Sequence, residues 1–138
     1  MSSTAETRTV IENYITALRT GEAVPRRAEF FAPDATWTLI GDLPTSGTWV
    51  GPDQIFHGFL PAMLARFDTT KPMSQEVRGV FADGDHAIAE WTTCATTLAG
   101  EDYANDVMIS FRVTDGRIAE AREYFDTAYA ARLLFPAS

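Results

Sequence analysis

Residues 103–125, YANDVMISFRVTDGRIAEAREYF, contain two apolar–polar alternations separated by the pair Asp115-Gly116. Successive side chains of a β-strand point to opposite faces, so each alternation predicts a strand with one buried face. An Asp-Gly pair between two such runs is a strong indicator of a tight hairpin. The segment therefore predicts two antiparallel strands, Tyr103–Thr114 and Arg117–Phe125.

Two further strands are predicted upstream of this hairpin. Ser74–Phe81 and His86–Leu98 show comparable strand patterns, and turn-forming residues at Ala82–Asp85 and Ala99–Asp102 bound them. The second half of the chain therefore predicts a four-stranded antiparallel meander.

The first half of the chain predicts three helices with apolar residues at helical spacing: Ala5–Thr20, Pro25–Phe31 and a third that starts at Pro52. Pro61 predicts a kink in the third helix. A strand at Asp34–Ile40 and a loop at residues 41–51 separate the second helix from the third. Helices followed by a meander predict an α+β fold, with the helices packed on one face of the sheet.

The composition predicts one domain over residues 1–138, because 46% apolar and 22% charged residues are typical of a globular chain of this length. A net charge of −8 argues against nucleic acid or an anionic membrane as a partner.

No apolar run could span a bilayer, and Met1–Arg8 contains no apolar leader segment. With Cys94 as the single cysteine, we expect a cytoplasmic location. Two histidines and one cysteine also argue against a zinc site.

Two polar residues fall on the predicted buried face of the sheet. Asn105 alternates with Val107 and Ile109, and Glu123 alternates with Ala119, Ala121 and Phe125. A buried carboxylate is unfavourable unless it is paired or hydrogen-bonded, and burial raises its pKa toward neutrality. Glu123 is therefore the first candidate for a general acid or base, and Asn105 is either a ligand contact or a member of a hydrogen-bond network.

Four short stretches, in this order and spacing, resemble the NTF2-like superfamily, specifically its SnoaL-like and ketosteroid-isomerase-like branch: Tyr14–Gly21, Phe30–Trp37, Asp115–Ile118 and Arg122–Asp126. The resemblance covers nearly the whole chain. It implies a cone in which a curved, mostly antiparallel sheet wraps around three N-terminal helices and encloses an apolar pocket. This fold hosts isomerases, cyclases, epoxide hydrolases, dehydratases and binding modules, so the resemblance implies no single activity.

The resemblance to ketosteroid isomerases implies roles for three residues. These enzymes place an oxyanion-stabilising tyrosine on the first helix, where this chain has Tyr14. Asn105 falls at or next to the position of their second donor, and an amide can donate there without a pKa shift. Leu39 stands at about the position of their general base and cannot take up a proton, which argues against isomerisation by that mechanism.

Two other branches of the family suggest further comparisons. Limonene-type epoxide hydrolases have a carboxylate on the last strand that matches Glu123, but Trp91 and Thr93 replace their Arg-x-Asp pair. The resemblance to SnoaL-type cyclases implies a reaction without a cofactor. These enzymes use an acidic residue near the C-terminus, and Glu123 or Asp126 matches it. Asp126 also fits the N-cap of a C-terminal helix, which we expect at Ala128–Phe135.

The predicted substrate-binding residues are mostly aromatic: Trp37, Leu39, Trp49, Phe56, Trp91, Thr93 and Phe125. Core packing is the alternative role for each of them, and Trp49 is either a lid or a loop anchor. The same alternative holds for Tyr14, and a purely structural hydrogen bond is the alternative for Glu123.

The sequence leaves two functional hypotheses. The first is a cofactor-independent enzyme, with Glu123, Tyr14 and Asn105 as catalytic residues, that performs isomerisation, polyketide-type cyclisation, dehydration or epoxide hydrolysis on a small apolar molecule. The second is a non-catalytic binding or accessory module with the same pocket. Ile88, Met108 and Tyr124 on the opposite face of the sheet predict a homodimer.

Overall fold

The structure is a computed structural model that describes residues 2–136. In chain order its elements are α1 Thr4–Arg19, α2 Val24–Ala28, β1 Phe31–Leu39, β2 Gly47–Val50, α3 Gly51–Gln54, a π-helical turn Ile55–Phe59, α4 Leu60–Leu64, β3 Ser74–Asp83, β4 His86–Thr96, β5 Asp102–Thr114, β6 Arg117–Phe125 and α5 Thr127–Leu134. None of the helices in this part of the chain is long and apolar enough to cross a membrane.

The described strands form one sheet in the order β2-β1-β6-β5-β4-β3. Strands β3 to β6 form the predicted antiparallel meander, and β1 joins it by pairing in parallel with β6. At the hairpin between β5 and β6, Asp115 and Gly116 both have positive φ values, 51° and 77°. Two left-handed residues match the twist of the flanking strands, which explains the Asp-Gly pair. The predicted α+β class is confirmed.

The two longest helices begin at side-chain caps. Ser3 and Glu6 form a reciprocal capping box at the start of α1. The Asp126 carboxylate accepts a hydrogen bond of 3.0 Å from the Tyr129 amide at the start of α5, which confirms the predicted N-cap. These caps fix where α1 and α5 meet the sheet.

The third predicted helix is interrupted by a π-helical turn. The Leu60 amide donates to the carbonyl of Ile55, five residues earlier, and Pro61, which has no amide hydrogen, follows directly. The wider turn allows Ile55, Phe56 and Phe59 all to be buried, with at most 2% exposure. Instead of a simple kink, the segment therefore presents two phenylalanine rings to the interior.

Two local predictions about the sheet are wrong. Residues within the predicted loop at 41–51 form β2, an edge strand in which Trp49 pairs with Trp37 of β1. On β6 a register shift opposite Arg112 and Val113 gives the strand one extra residue, so Ile118 is fully buried and Ala119 only half-buried. A β-bulge of this kind changes which side chain points inward.

The remaining alternation is confirmed by burial. On β5 every second residue is buried, from Tyr103 to Val113, and Trp37 and Leu39 are buried on β1. This inner face packs against α1 and the π-helical turn in a continuous apolar core. The same face carries the polar side chains of Asn105 and Glu123.

Candidate active site

A cavity of about 270 Å³ lies between the helices and the inner face of the sheet. The helical side contributes Leu18, Val24 and Phe56, among other apolar side chains. Leu64 and Met73 also line the cavity and are 47% and 37% exposed, so they mark its opening to solvent. The wall is predominantly apolar, which is typical of sites for small organic ligands.

Glu123 lines this cavity from β6 and is half-buried, whereas its neighbours Arg122 and Tyr124 are exposed on the opposite face of the sheet. The Trp37 indole donates a hydrogen bond of 3.2 Å from Nε1 to Glu123 Oε1. Burial raises the pKa of the Glu123 carboxyl to about 7, and the Trp37 hydrogen bond opposes that rise. Both protonation states are therefore populated near neutral pH.

Tyr14 lines the cavity from α1 and is only 1% exposed. Edge-on contacts to Phe30, Phe31 and Phe111, with ring centroids 5.3–6.1 Å away, hold its ring. Burial raises the pKa of its hydroxyl, the charge of Arg27 lowers it and the charge of Glu123 raises it. The hydroxyl is therefore neutral and retains its proton.

The Tyr14 hydroxyl makes no hydrogen bond to any of residues 2–136. Within that range, Thr7 Oγ1 is the only fully buried side-chain polar atom without a partner. The Tyr14 oxygen is therefore accessible from the cavity, and its proton is available to a bound molecule.

Five of the predicted binding residues line the cavity: Trp37, Phe56, Trp91, Thr93 and Phe125. The Trp91 indole donates to Thr93 Oγ1 at 3.0 Å, so these two polar groups satisfy each other. Gln75 lies opposite Thr93 in the pairing of β3 with β4 and also lines the cavity.

Asn105 is buried as expected but does not line the cavity. Its amide donates to the Tyr103 hydroxyl at 2.9 Å and to the Asp126 carbonyl at 3.1 Å, and it accepts from the Asp126 amide at 3.3 Å. These bonds occupy the side chain in joining β5 to the start of α5. The structure therefore places Asn105 in a hydrogen-bond network, which was the alternative to a ligand contact, and not among the residues that line the cavity with Tyr14.

Leu39 and Trp49 were predicted at the cavity wall but lie elsewhere. Leu39 is 1% exposed and belongs to the apolar core without lining the cavity. The Trp49 ring packs on Phe59 at 5.6 Å, and its indole donates to the Thr45 carbonyl at 3.1 Å. Trp49 therefore anchors the loop before α3, which was the alternative to a lid.

Sequence reasoning missed Arg27, which lines the cavity from α2. Its guanidinium carbon lies 5.8 Å from the centroid of the Phe56 ring, and its Nε donates to the Glu22 carbonyl at 2.9 Å. Val24, three residues earlier, lines the same cavity, and residues three apart share one face of a helix. That spacing was visible in the sequence, but the position of α2 over the cavity was not.

Residues 2–136 contain no group of three or more His, Cys, Asp or Glu side chains placed to hold a metal ion. The polar groups that line the cavity are one carboxyl, Glu123, the phenols of Tyr14 and Tyr103, one guanidinium, Arg27, and several neutral groups. Of these, Glu123 is the group able to exchange protons near neutrality.

Comparison with known proteins agrees with the predicted resemblance. The family model of the SnoaL-like domain matches residues 11–121. An NTF2-like protein from Burkholderia xenovorans has a TM-score of 0.78 and 19% identity, over 97% of this chain and 99% of that chain. A putative ketosteroid isomerase from Kribbella flavida has a TM-score of 0.69 and 20% identity, over 91% of this chain and 82% of that chain.

A third solved structure, TerC co-crystallized with polyporic acid, has a TM-score of 0.81 and 21% identity, over 94% of this chain and 98% of that chain. No curated protein matches the sequence. Identities this low show a shared fold, so the predicted NTF2-like architecture is confirmed and the activity has to be argued from the site.

Proposed function

The chain belongs to the SnoaL-like domain family, and from that premise we propose that it is a cofactor-independent enzyme that moves a proton on a small, largely apolar molecule. The reaction classes that fit are isomerisation, cyclisation, dehydration and epoxide opening. The observation that carries the proposal is a carboxyl with a pKa of about 7, Glu123, facing an apolar cavity.

Glu123 acts as the general acid or base. A catalytic group works best when its pKa lies near the working pH, because it then both accepts and returns a proton readily. The Trp37 hydrogen bond fixes Oε1, so the second carboxylate oxygen remains for the substrate.

Tyr14 donates a hydrogen bond to the substrate oxygen on which negative charge develops. Its hydroxyl is neutral, held by ring contacts and without a protein acceptor among the described residues. A donor that is already oriented stabilises an oxyanion more than water does, and removing one typically slows a reaction by about 10² to 10³.

One specific observation favours the alternative of a binding module. The Trp37 hydrogen bond partly satisfies Glu123, and a structural carboxylate needs such a partner. In that case the cavity holds a ligand but converts nothing.

The experiment that separates these functions compares the wild type, Glu123→Gln and Glu120→Gln. Glu120 lies on the same strand opposite Arg112, away from the cavity lining, and serves as the matched control. The proteins are screened by thermal shift against small ketones, epoxides and polycyclic enones, and against polyporic acid because TerC was crystallised with it. Products are then analysed for every ligand that binds.

Under the enzyme proposal, the wild type and Glu120→Gln convert at least one ligand, and Glu123→Gln binds that ligand without converting it. Conversion by Glu123→Gln at the wild-type rate contradicts the assigned role. Ligands that bind all three proteins and are converted by none favour the binding module.

We also propose that two copies associate through the outer face of the sheet. Met108 and Tyr124 are direct cross-strand partners there, and with Ile88 they are 39–41% exposed. Met108→Lys should convert a dimer to a monomer in light scattering, whereas Leu98→Lys, at an exposed residue after β4, should not. A dimer that survives Met108→Lys contradicts this interface.

A further inference from the structure

Arg26 and Arg27 are adjacent on α2 but have different surroundings. Arg26 forms exposed ion pairs with Glu22 at 3.5 Å and with Glu29 at 3.2 Å. Arg27 is half-buried, lines the cavity and forms no ion pair with any of residues 2–136. One arginine is therefore neutralised at the surface, and its neighbour brings an uncompensated positive charge to the cavity.

Among residues 2–136, the contacts of the Arg27 guanidinium involve its Nε and its carbon, and leave the two terminal nitrogens free. Its Nε donates to the Glu22 carbonyl, and its carbon lies 5.8 Å from the centroid of the Phe56 ring. Neither contact uses the two terminal nitrogens. These nitrogens form the planar fork that binds a carboxylate through two parallel hydrogen bonds.

The positive charge and the proton-transfer group are separated by aromatic rings. Phe56, next to Arg27, and Trp37 both line the cavity, and each contacts the buried ring of Phe31, at 5.3 Å and 6.0 Å. Trp37 in turn holds Glu123. A ligand that reaches both Arg27 and Glu123 therefore needs an apolar body to lie along this wall.

Tyr14 lies within electrostatic reach of both charged groups. The charge of Arg27 lowers the pKa of its hydroxyl, and the charge of Glu123 raises it. Tyr14, Arg27 and Glu123 all line the same cavity, so one ligand can contact the hydroxyl and both charged groups.

We propose that Arg27 binds a carboxylate of the ligand, and that the molecule bound here is a small monoanion with an aromatic or polycyclic body. That this anion is a substrate rests on the proposed function of Glu123; that it binds at Arg27 does not. The protein carries a net charge of −8, so an anion needs a local cation to enter the cavity.

The test uses two ligands of nearly equal shape, 2-naphthoate and 2-naphthamide, titrated by calorimetry at pH 6 into the full chain. The wild type should bind the carboxylate about tenfold more tightly than the neutral amide, because a charge-assisted pair exceeds a neutral hydrogen bond. Raising the salt concentration should weaken binding of the carboxylate and leave that of the amide unchanged.

Three variants locate the effect. Arg27→Met should remove the preference and leave the affinity for the amide within about twofold of the wild type. Arg27→Lys keeps the charge without the fork and should retain part of the preference. Arg26→Met removes a neighbouring arginine that faces solvent and should behave as the wild type. Melting temperatures check that each variant is folded.

Equal affinity of the wild type for the two ligands, absence of binding of 2-naphthoate, or a preference that survives Arg27→Met overturns the proposal. If Arg27→Met does not fold, the salt dependence in the wild type and the result for Arg27→Lys decide. If the carboxylate preference is absent, the proposed role of Glu123 can still hold, because it is tested separately by the loss of turnover in Glu123→Gln. If the preference is present but the wild type converts no ligand of the panel, the result contradicts the enzyme proposal and still supports Arg27 as an anion site.

Discussion

The C-terminal half of β6 and the junction of β5 with α5 each place one polar side chain on the inner face of the sheet, and the two side chains have different environments. Asn105, at the junction, makes three hydrogen bonds to Tyr103 and Asp126. Glu123, in the C-terminal half of β6, receives one hydrogen bond, from Trp37, and lines the cavity.

The difference shows that facing inward and facing a ligand are separate properties. Asn105 has its bonding capacity filled by protein groups, so it contributes to joining two elements. Glu123 and Tyr14 keep an unused donor or acceptor, so they are available to a bound molecule. Changes at Glu123 or Tyr14 should therefore alter chemistry, and changes at Asn105 should alter stability.

The largest expected effect is on catalysis, from Tyr14→Phe. The variant removes a hydroxyl that makes no hydrogen bond to the described residues, so the melting temperature should stay within a few degrees. Turnover of any converted ligand should fall by about 10² to 10³, because the oxyanion loses its donor. Tyr129→Phe, whose hydroxyl accepts from the Ala104 amide outside the cavity, is the control and should leave turnover unchanged. Normal turnover in Tyr14→Phe would show that the hydroxyl does not donate to the substrate and that Tyr14 serves only to pack the core.

The second effect is on stability as a function of pH, from Glu123→Gln. The pKa of Glu123 rises from an ordinary value of 4.5 to about 7 on folding, so the folded state binds more protons than the unfolded state between these values. The free energy of unfolding of the wild type should therefore decrease as pH rises from about 4.5 to about 7, by about 3 kcal/mol in total.

Glu123→Gln cannot ionise and should lack that contribution. Denaturant unfolding at pH 5 and pH 8 measures it: relative to the wild type, the variant should gain stability at pH 8. The control Glu120→Gln should follow the pH dependence of the wild type. Parallel curves for the wild type and Glu123→Gln would show that the carboxyl is not buried in the folded protein.

The third effect is loss of stability without loss of chemistry, from Asn105→Ala. The change leaves the Tyr103 hydroxyl and the backbone of Asp126 without their partners, which should cost about 2 kcal/mol in the free energy of unfolding. Ligand affinity and turnover should be unchanged at temperatures where the variant is folded. Asn13→Ala, on the exposed side of α1, is the control and should change stability little. A large loss of turnover in folded Asn105→Ala would show that Asn105 acts in catalysis and not only in stability.

The sequence predicted much of this arrangement for a physical reason. Alternation with period two assigns faces, so Asn105 and Glu123 were correctly placed on the inner side of the sheet. Alternation carries no information about whether an inner side chain meets packed protein or empty space. That distinction depends on where α5 and the π-helical turn dock, which is set by packing between elements distant in the chain.

The same limit explains the other errors. Leu39 has the alternation of a wall residue but is buried without lining the cavity, and Trp49 belongs to the edge strand β2, whose four residues have no distinctive pattern. Arg27 was overlooked because an arginine on a short helix is usually solvated. Only the position of α2 over Phe56 distinguishes it from Arg26.

The smallest expected effect tests how Glu123 is tuned, by Trp37→Phe. The variant removes the one hydrogen bond that lowers the pKa of the carboxyl while keeping an aromatic ring at that position. The pKa of Glu123 should rise above 7 by up to about one, equivalent to about 1.4 kcal/mol, and an NMR titration of the carboxyl carbon measures it without a substrate. Trp91→Phe is the matched control, since the Trp91 indole donates to Thr93 and not to Glu123. An unchanged pKa in Trp37→Phe would mean that burial alone sets the acidity of Glu123, and Trp37 would then be part of the wall and no more.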